Sequence, residues 1–124
     1  MPHTVLIVDD EEGMLTILNI ILGRAGFRIL TATNGYDALD LILEHNPSVV
    51  VLDDMMPGIT GGEVCKQVKS NPKTRLIPIV MHSAGMKVKD DRYLAEIGAD
   101  AALSKPVSPG KMVDTVRQFL VQGV

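Results

Sequence analysis

Short apolar runs alternate with amphipathic segments five times along the chain, and this alternation limits the possible folds more than any other feature. The runs lie at 5–8, 27–33, 49–53, 77–81 and 101–103 and consist mainly of apolar residues. The third run is aliphatic up to Asp53, as expected for a central strand that is covered on both faces. Strands that alternate with helices in this way are typical of a doubly wound α/β domain with a parallel sheet.

The segments between and after the runs predict five helices. The first is predicted at 12–24, with Gly26 as its C-terminal cap. The second follows Asn34-Gly35 and stops at Asn46-Pro47, because a residue before proline avoids the helical region. The third is short, the fourth is predicted at about 87–97, and the fifth lies near the end of the sequence. Helical spacing selects these residues as inward-facing: Leu15, Leu18, Ile21, Leu22, Ala38, Leu41, Ile42, Val64, Val68, Val88, Leu94, Ile97, Met112, Val113, Val116, Phe119 and Leu120.

Composition and charge exclude several classes of protein. The 124 residues are 46% hydrophobic and only 3% aromatic, which predicts one domain with an aliphatic core. A single cysteine, Cys65, excludes an internal disulfide and a thiolate metal site. No apolar run approaches the roughly 18 residues of a membrane span, and no signal-peptide pattern opens the sequence. The net charge of −3 argues against direct nucleic-acid binding. We therefore expect a cytoplasmic protein that does not bind membranes.

Five polar residues stand at or just after the ends of the apolar runs. They are Asp9, Asp10, Asp53, Ser83 and Lys105. Because the carboxyl ends of parallel strands emerge at one edge of a sheet, these side chains are predicted to converge there. Carboxylates suit a hard cation, whereas a hydroxyl and an ammonium suit phosphate oxygens. The sequence therefore predicts a phosphoryl-accepting site.

Each of these residues also has a simpler interpretation. The pair Asp9-Asp10 could cap the first helix, Asp53 could cap a loop, and Lys105 could be a solvated surface charge. Asp54 is a rival to Asp53, because side chains alternate along a strand and only one of the two can face the acidic pair. His3, His45 and His82 lack the spacing of a metal-ligand pair.

The order and spacing of several motifs carry a family resemblance. An acidic pair ends the first strand, and the segment from Asp53 to Gly58 has Pro57 four residues after Asp53. Ser83-Ala84 follows thirty residues after Asp53, and Lys105-Pro106 follows twenty-two residues after Ser83. The segments 33–39 and 98–100 fit the same pattern. The chain thereby resembles the receiver domain of two-component response regulators over essentially its whole length.

The resemblance implies a fold and a set of roles. It implies a flavodoxin-like sheet with strand order 2-1-3-4-5, five helices on two faces, and one receiver domain at 1–124. Asp53 would be the phosphoacceptor, while Ser83 and Lys105 would bind phosphoryl oxygens. Mg²⁺ would be held by Asp9, Asp10, Asp53 and the backbone carbonyl of Met55. The Lys105-Pro106 peptide bond is expected to be cis, because X-Pro bonds lose little free energy in that form.

The resemblance also implies partners and a switch. A histidine kinase or phosphotransfer protein would supply the phosphoryl group. Phosphorylation would then alter the surface of helix 4, strand 5 and helix 5, which a downstream protein or a missing output domain would recognise. The chain departs from the family at Ala102, where an aromatic residue is usual, and at Ala101, Thr115 and Val107. Neither the Met55 nor the Gly85 side chain can orient a hydrolytic water, which predicts slow autodephosphorylation. The resemblance implies that the chain catalyses only its own phosphorylation and dephosphorylation and is not an enzyme for other substrates.

Two other functions remain open on the sequence. A magnesium-dependent phosphohydrolase with an aspartyl nucleophile usually has a second Asp two residues after the first, and that position is Met55. A phosphorylation-independent interaction module would be marked by loss of the acceptor or the lysine, and the sequence keeps both Asp53 and Lys105.

Overall fold

The structure, a computed structural model, describes residues 2–120. Five strands form one parallel sheet: β1 Thr4–Val8, β2 Arg28–Ala32, β3 Val49–Leu52, β4 Ile79–Ser83 and β5 Ala101–Ser104. Five α-helices connect or follow them: α1 Glu12–Arg24, α2 Gly35–His45, α3 Gly61–Ser70, α4 Asp91–Ile97 and α5 Pro109–Leu120. The strand order is β2-β1-β3-β4-β5 and every pairing is parallel. The fold expected from the resemblance is therefore confirmed.

The sheet separates two aliphatic cores because successive strand residues point to opposite faces. One core contains Val5, Ile7, Val49 and Val51 with the buried sides of α1 and α5. The other contains the alternate strand residues, such as Leu6 and Val50, with the buried sides of α2, α3 and α4. This alternation decides which of two neighbouring side chains at a strand end can enter a given cleft.

Local signals in the sequence account for most helix ends. The Asn34 side chain accepts a hydrogen bond from the Asp37 backbone N–H at 2.9 Å and caps α2. Asn46 ends that helix in the left-handed region at φ 47°. Gly26, at φ 99°, follows the last turn of α1 as predicted, since a glycine adopts this conformation without a Cβ clash.

Several predicted boundaries differ from those of the structure. Strand β2 is Arg28–Ala32 rather than 27 to about 33, and β4 begins at Ile79 rather than at Ile77. Ile77 belongs to the preceding turn, because its backbone N–H donates to the Thr74 carbonyl. The helix predicted at 87–97 is two elements, a 3₁₀ turn at Met86–Lys89 and α4. Asp90 separates them in an extended conformation, and its side chain caps α4 by accepting from the Arg92 N–H at 2.9 Å.

Candidate functional site

Backbone pairing brings the strand ends of the predicted site together. The Asp53 N–H donates to the Val8 carbonyl at 3.0 Å, which places the start of the β3 loop beside the end of β1. The Lys105 N–H donates to the Ser83 carbonyl, also at 3.0 Å. The predicted convergence is therefore confirmed in the fold. The side chains enclose a cleft of about 260 Å³, lined by Asp10, Glu11, Asp53, Met55, Ser83, Ala84 and Lys105.

Lys105 links two of the three carboxylates across this cleft. Its Nζ lies 2.8 Å from Asp9 Oδ2 and 3.6 Å from Asp53 Oδ2. The Asp9 side chain is almost fully buried, and its second oxygen accepts from the Glu11 backbone N–H at 2.9 Å. A charged hydrogen bond in such a place is stronger than one in water, because the local dielectric constant is low. Lys105 is therefore a fixed cation in the cleft rather than a solvated surface charge.

The environment raises the pKa of both Asp53 and Lys105. Burial raises the pKa of Asp53, and the repulsive charge of Asp9 adds to this, while Lys105, the Met55 N–H and the Ser83 hydroxyl act in the opposite direction. Burial lowers the pKa of Lys105, but Asp9, Asp53 and Glu11 outweigh it. Burial thus disfavours the charged form of Asp53, while the neighbouring carboxylates favour the charged form of Lys105.

Three neighbouring carboxylates, two of which line the cleft, could hold a metal ion. Oxygen atoms of Asp9, Asp10 and Asp53 all lie within 4.8 Å of one another. Asp9 and Asp53 are buried, and Asp10 is exposed. Crowded carboxylates of this kind suit a hard divalent cation such as Mg²⁺, which takes oxygen ligands and retains several waters. The capping alternative for the acidic pair is wrong, because the N-cap residue of α1 is Glu11.

Asp54 lies on the opposite side of the strand end from Asp53. It is buried, and its Oδ1 accepts hydrogen bonds from the Gly62 N–H and from the Tyr93 hydroxyl, both at 2.8 Å. Strand alternation accounts for this orientation. Asp54 therefore joins the first turn of α3 to α4 and does not line the cleft.

Ser83 and Met55 both line the cleft beside Asp53. Ser83 is fully buried, and its Oγ accepts from the Gly85 N–H at 3.1 Å. The Met55 N–H donates to Asp53 Oδ1 at 3.2 Å, while the Met55 residue is 61% exposed. The Met55 sulfur lies so close to Gly85 that a Cβ atom added at Gly85 would be only 2.8 Å from it. Met56 is buried, so the two methionines divide between the rim of the cleft and the core.

The histidines and the cysteine do not add to this cleft. His82 is buried on the face of the sheet opposite to Ser83, and burial lowers its pKa to about 4. Burial raises the pKa of Cys65 to about 12, as expected for a core thiol. The Lys105-Pro106 peptide bond is cis, as predicted.

The role of Tyr93 and of two backbone donors is not apparent from the sequence. Tyr93 lies on the seven-residue helix α4, 39 positions after Asp54, and no local motif links the two. The N–H groups of Glu11 and Gly85 contact Asp9 and Ser83 through loop geometry. Their conformation depends on tertiary structure, so residue type alone could not identify them.

Comparison with known proteins agrees with this architecture. Residues 5–117 match the family model of the response regulator receiver domain. The chain is 31% identical to the polar-differentiation response regulator DivK of Brucella anthropi, over 97% of this chain and 98% of that protein. It is 37% identical to the alkaline phosphatase synthesis transcriptional regulatory protein PhoP of Bacillus subtilis, over 97% of this chain but 49% of that protein.

A solved structure of a candidate response regulator from Chloroflexus aurantiacus is also similar. It superimposes with a TM-score of 0.91 at 35% identity, over 98% of this chain and 99% of that one. Among residues 2–120, no helix is both long and apolar enough to cross a membrane. The match to the family model spans most of the chain, and the chain belongs to the receiver domain family of two-component response regulators.

Proposed function

We propose that this chain is a phosphorylation switch in which Asp53 accepts a phosphoryl group in a Mg²⁺-dependent reaction. The observation that carries the proposal is the position of Asp53 in one cleft with Lys105 and two further carboxylates. Within this proposal, residues 1–124 form one receiver domain. The chain acts as a signalling switch and not as an enzyme with a separate substrate.

The chemistry requires a nucleophile and a means of offsetting charge. One Asp53 carboxylate oxygen attacks phosphorus, a P–O bond forms, and the bond to the donor breaks with its electron pair leaving on the donor. Lys105 lies 3.6 Å from Asp53 Oδ2, close enough to bind a phosphoryl oxygen attached there. Ser83 offers a hydroxyl on the same side. Such prepositioned groups stabilise the charge that spreads over the phosphoryl oxygens.

The acidic cluster fits a metal ion by the chemistry of its oxygen donors. Asp9, Asp10, Asp53 and the Met55 backbone carbonyl would hold Mg²⁺. When bound, the ion supplies the positive charge that three neighbouring carboxylates and an incoming phosphoryl group require. Asp9 also keeps Lys105 in place through the 2.8 Å hydrogen bond, so this residue has two roles in the proposal.

A phosphoryl group on Asp53 would shift an equilibrium between two arrangements of the domain. New acceptor oxygens near Ser83 would draw its hydroxyl inward, and the loop that leads to α4 would follow. A downstream protein would then meet a different arrangement of the surface formed by α4, β5 and α5. A histidine kinase or phosphotransfer protein would supply the phosphoryl group in the cytoplasm, and Met55 would shield the product so that autodephosphorylation is slow.

Intact mass spectrometry tests the proposal. Wild-type protein is incubated with acetyl phosphate, with and without Mg²⁺, beside the Asp53→Ala and Asp54→Asn variants. We expect the wild type and Asp54→Asn to gain one phosphoryl group only with Mg²⁺, and Asp53→Ala to gain none. No Mg²⁺-dependent gain in the wild type, or an equal gain in Asp53→Ala, would overturn the assignment.

A further inference from the structure

Asp54, the residue after Asp53, is held beside the cleft by hydrogen bonds to its backbone and to its side chain. The Asp54 carbonyl accepts hydrogen bonds from the Met56 N–H at 3.2 Å and from the Gly61 N–H at 3.1 Å. Its carboxylate accepts from the Gly62 N–H at 2.8 Å. A Cβ at Gly61 would collide with the Asp53 carbonyl, so α3 begins in direct contact with this segment. The backbone at 53–54 and the first turn of α3 therefore form one rigid unit.

The helix α4 packs on the core through Ile97 and Leu94, and its polar attachment to this unit is mainly at Tyr93. It has seven residues and follows a 3₁₀ turn and an extended Asp90. Within residues 2–120, two side-chain hydrogen bonds join α4 to other elements. One is the exposed 3.5 Å contact of Glu96 with Lys66, and the other is the 2.8 Å bond from the half-buried Tyr93 hydroxyl to Asp54.

The Tyr93 side chain is held in a position that favours this bond. The Lys87 ammonium lies 5.4 Å from the centre of its ring, within the range of a cation–π interaction. Its hydroxyl also packs against Gly62, where a Cβ would collide with it. Burial and the Asp54 carboxylate raise the pKa of Tyr93, so the hydroxyl remains a proton donor. Asp54 is only 6% exposed, so water has little access to its carboxylate. Loss of the Tyr93 donor would therefore cost free energy, because a buried acceptor would lose a partner.

A chain of contacts leads from the cleft to the same helix. The Ser83 hydroxyl accepts from the Gly85 N–H, and Gly85 packs against the Met55 sulfur. The 3₁₀ turn begins at the next residue, Met86. A movement of Ser83 toward Asp53 must therefore displace the segment that precedes α4, while Asp54 stays with α3.

We propose that the Tyr93–Asp54 hydrogen bond tethers α4 in its unphosphorylated position and is released when Asp53 is phosphorylated. Tyr93 and Asp54 are thus positioning residues that set the balance between the two arrangements. The inference rests on the proposed function, because the release needs a phosphoryl group at Asp53. The tether itself is a property of the unphosphorylated chain and can be tested without that step.

The first test measures amide hydrogen exchange in α4 of the unphosphorylated protein. The Tyr93→Phe variant loses the hydroxyl and keeps the ring, and Tyr36→Phe is the matched control because Tyr36 is 63% exposed. We expect exchange in α4 to rise about three- to tenfold in Tyr93→Phe, the factor that a typical net hydrogen bond provides, and to stay unchanged in Tyr36→Phe. Unchanged exchange in a folded Tyr93→Phe variant would overturn the tether.

The second test measures the rate of phosphorylation by acetyl phosphate and Mg²⁺. Loss of the tether should raise the rate of Tyr93→Phe about threefold or more. The Asp54→Asn variant keeps an oxygen for Gly62 but weakens the bond to Tyr93, so the effect of Tyr93→Phe should shrink in that background. Equal or slower phosphorylation of Tyr93→Phe, or fully additive effects, would contradict the release.

Tyrosine fluorescence distinguishes a Tyr93–Asp54 bond that is released on phosphorylation from one that only stabilises the fold. The sequence has two tyrosines and no tryptophan, so Tyr93 is the only fluorophore of its kind in Tyr36→Phe. A carboxylate partner quenches tyrosine emission, and we expect emission to rise when this variant is phosphorylated. Unchanged emission in a phosphorylated sample would overturn the release. If the wild type gains no phosphoryl group, the proposed function fails, and hydrogen exchange alone decides the tether.

Discussion

Lys105 donates a 2.8 Å hydrogen bond to Asp9, although 96 positions separate the two residues in the chain. The strands that precede them, β5 and β1, are not neighbours, because β3 and β4 lie between them in the sheet. The lysine side chain therefore spans the edge of the sheet above β3 and β4. This places its ammonium beside Asp53, which follows β3, and makes the bond an organising contact of the cleft.

Removal of the Lys105 charge should slow phosphorylation of Asp53. In Lys105→Met the stem is retained, but no cation remains to bind a phosphoryl oxygen. We expect the rate with acetyl phosphate and Mg²⁺ to fall about tenfold or more, as for other losses of a prepositioned charge-stabilising group. The exposed Lys111 provides the control Lys111→Met. Equal rates in the two variants would contradict a role of Lys105 in the reaction.

A polar side chain at position 55 should shorten the life of the phosphorylated state. Met55 lies on the rim of the cleft and presents no group that can orient water toward Asp53. In Met55→Asn an amide could do so, and we expect faster loss of the phosphoryl group, followed by intact mass after the donor is removed. Met55→Leu keeps an apolar side chain and should behave like the wild type. A wild-type lifetime of seconds rather than many minutes would refute the shielding role.

Two glycine substitutions should have opposite effects on stability. A Cβ at Gly61 would collide with the Asp53 carbonyl, whereas a Cβ at Gly13 in α1 meets no atom within 4 Å. We expect Gly61→Ala to lower the free energy of unfolding by about 2 kcal/mol and to slow phosphorylation, because the acceptor segment must shift. Gly13→Ala should raise the free energy of unfolding by about 0.5 kcal/mol. Urea unfolding measures both, and a neutral Gly61→Ala would contradict the close packing.

The stability of the domain should fall in mild acid because of His82. Burial, with a smaller effect of Lys105, lowers its pKa from 6.5 to about 4. Below pH 6.5, His82 becomes protonated in the unfolded chain, but in the folded chain it stays neutral down to about pH 4. The stability that is present above pH 6.5 is therefore lost as the pH falls toward 4. From about pH 7.5 to about pH 4.5 this loss is about 2.5 kcal/mol.

The His82→Gln variant isolates that contribution. Glutamine is polar and does not titrate, so the pH dependence that remains in this variant comes from the other titratable groups. Urea unfolding at the two pH values should therefore show a smaller decrease for His82→Gln than for the wild type. Identical decreases would mean that His82 takes up its proton equally in the folded and unfolded chains.

The sequence predicted the sheet and the convergence of Asp9, Asp53 and Lys105 because apolar runs and strand ends are local signals with a fixed geometric consequence. Strand alternation lets only one of Asp53 and Asp54 face the acidic pair, and the spacings to Pro57 and Ser83 favoured Asp53. The division of the 87–97 segment was not predictable from periodicity, because the break depends on the backbone of Asp90. The Tyr93–Asp54 bond depends on the packing of α4 against α3, which no spacing in the sequence encodes.

The most direct test of the account identifies the residue that carries the phosphoryl group. Phosphorylated protein is treated with borohydride, which reduces an aspartyl phosphate to homoserine, and the peptides are sequenced by tandem mass spectrometry. We expect homoserine at position 53 in a Mg²⁺-dependent yield, with Asp54, Asp9 and Asp10 unchanged. Homoserine at position 54, or at neither position in a sample that has gained a phosphoryl group, would contradict the central claim.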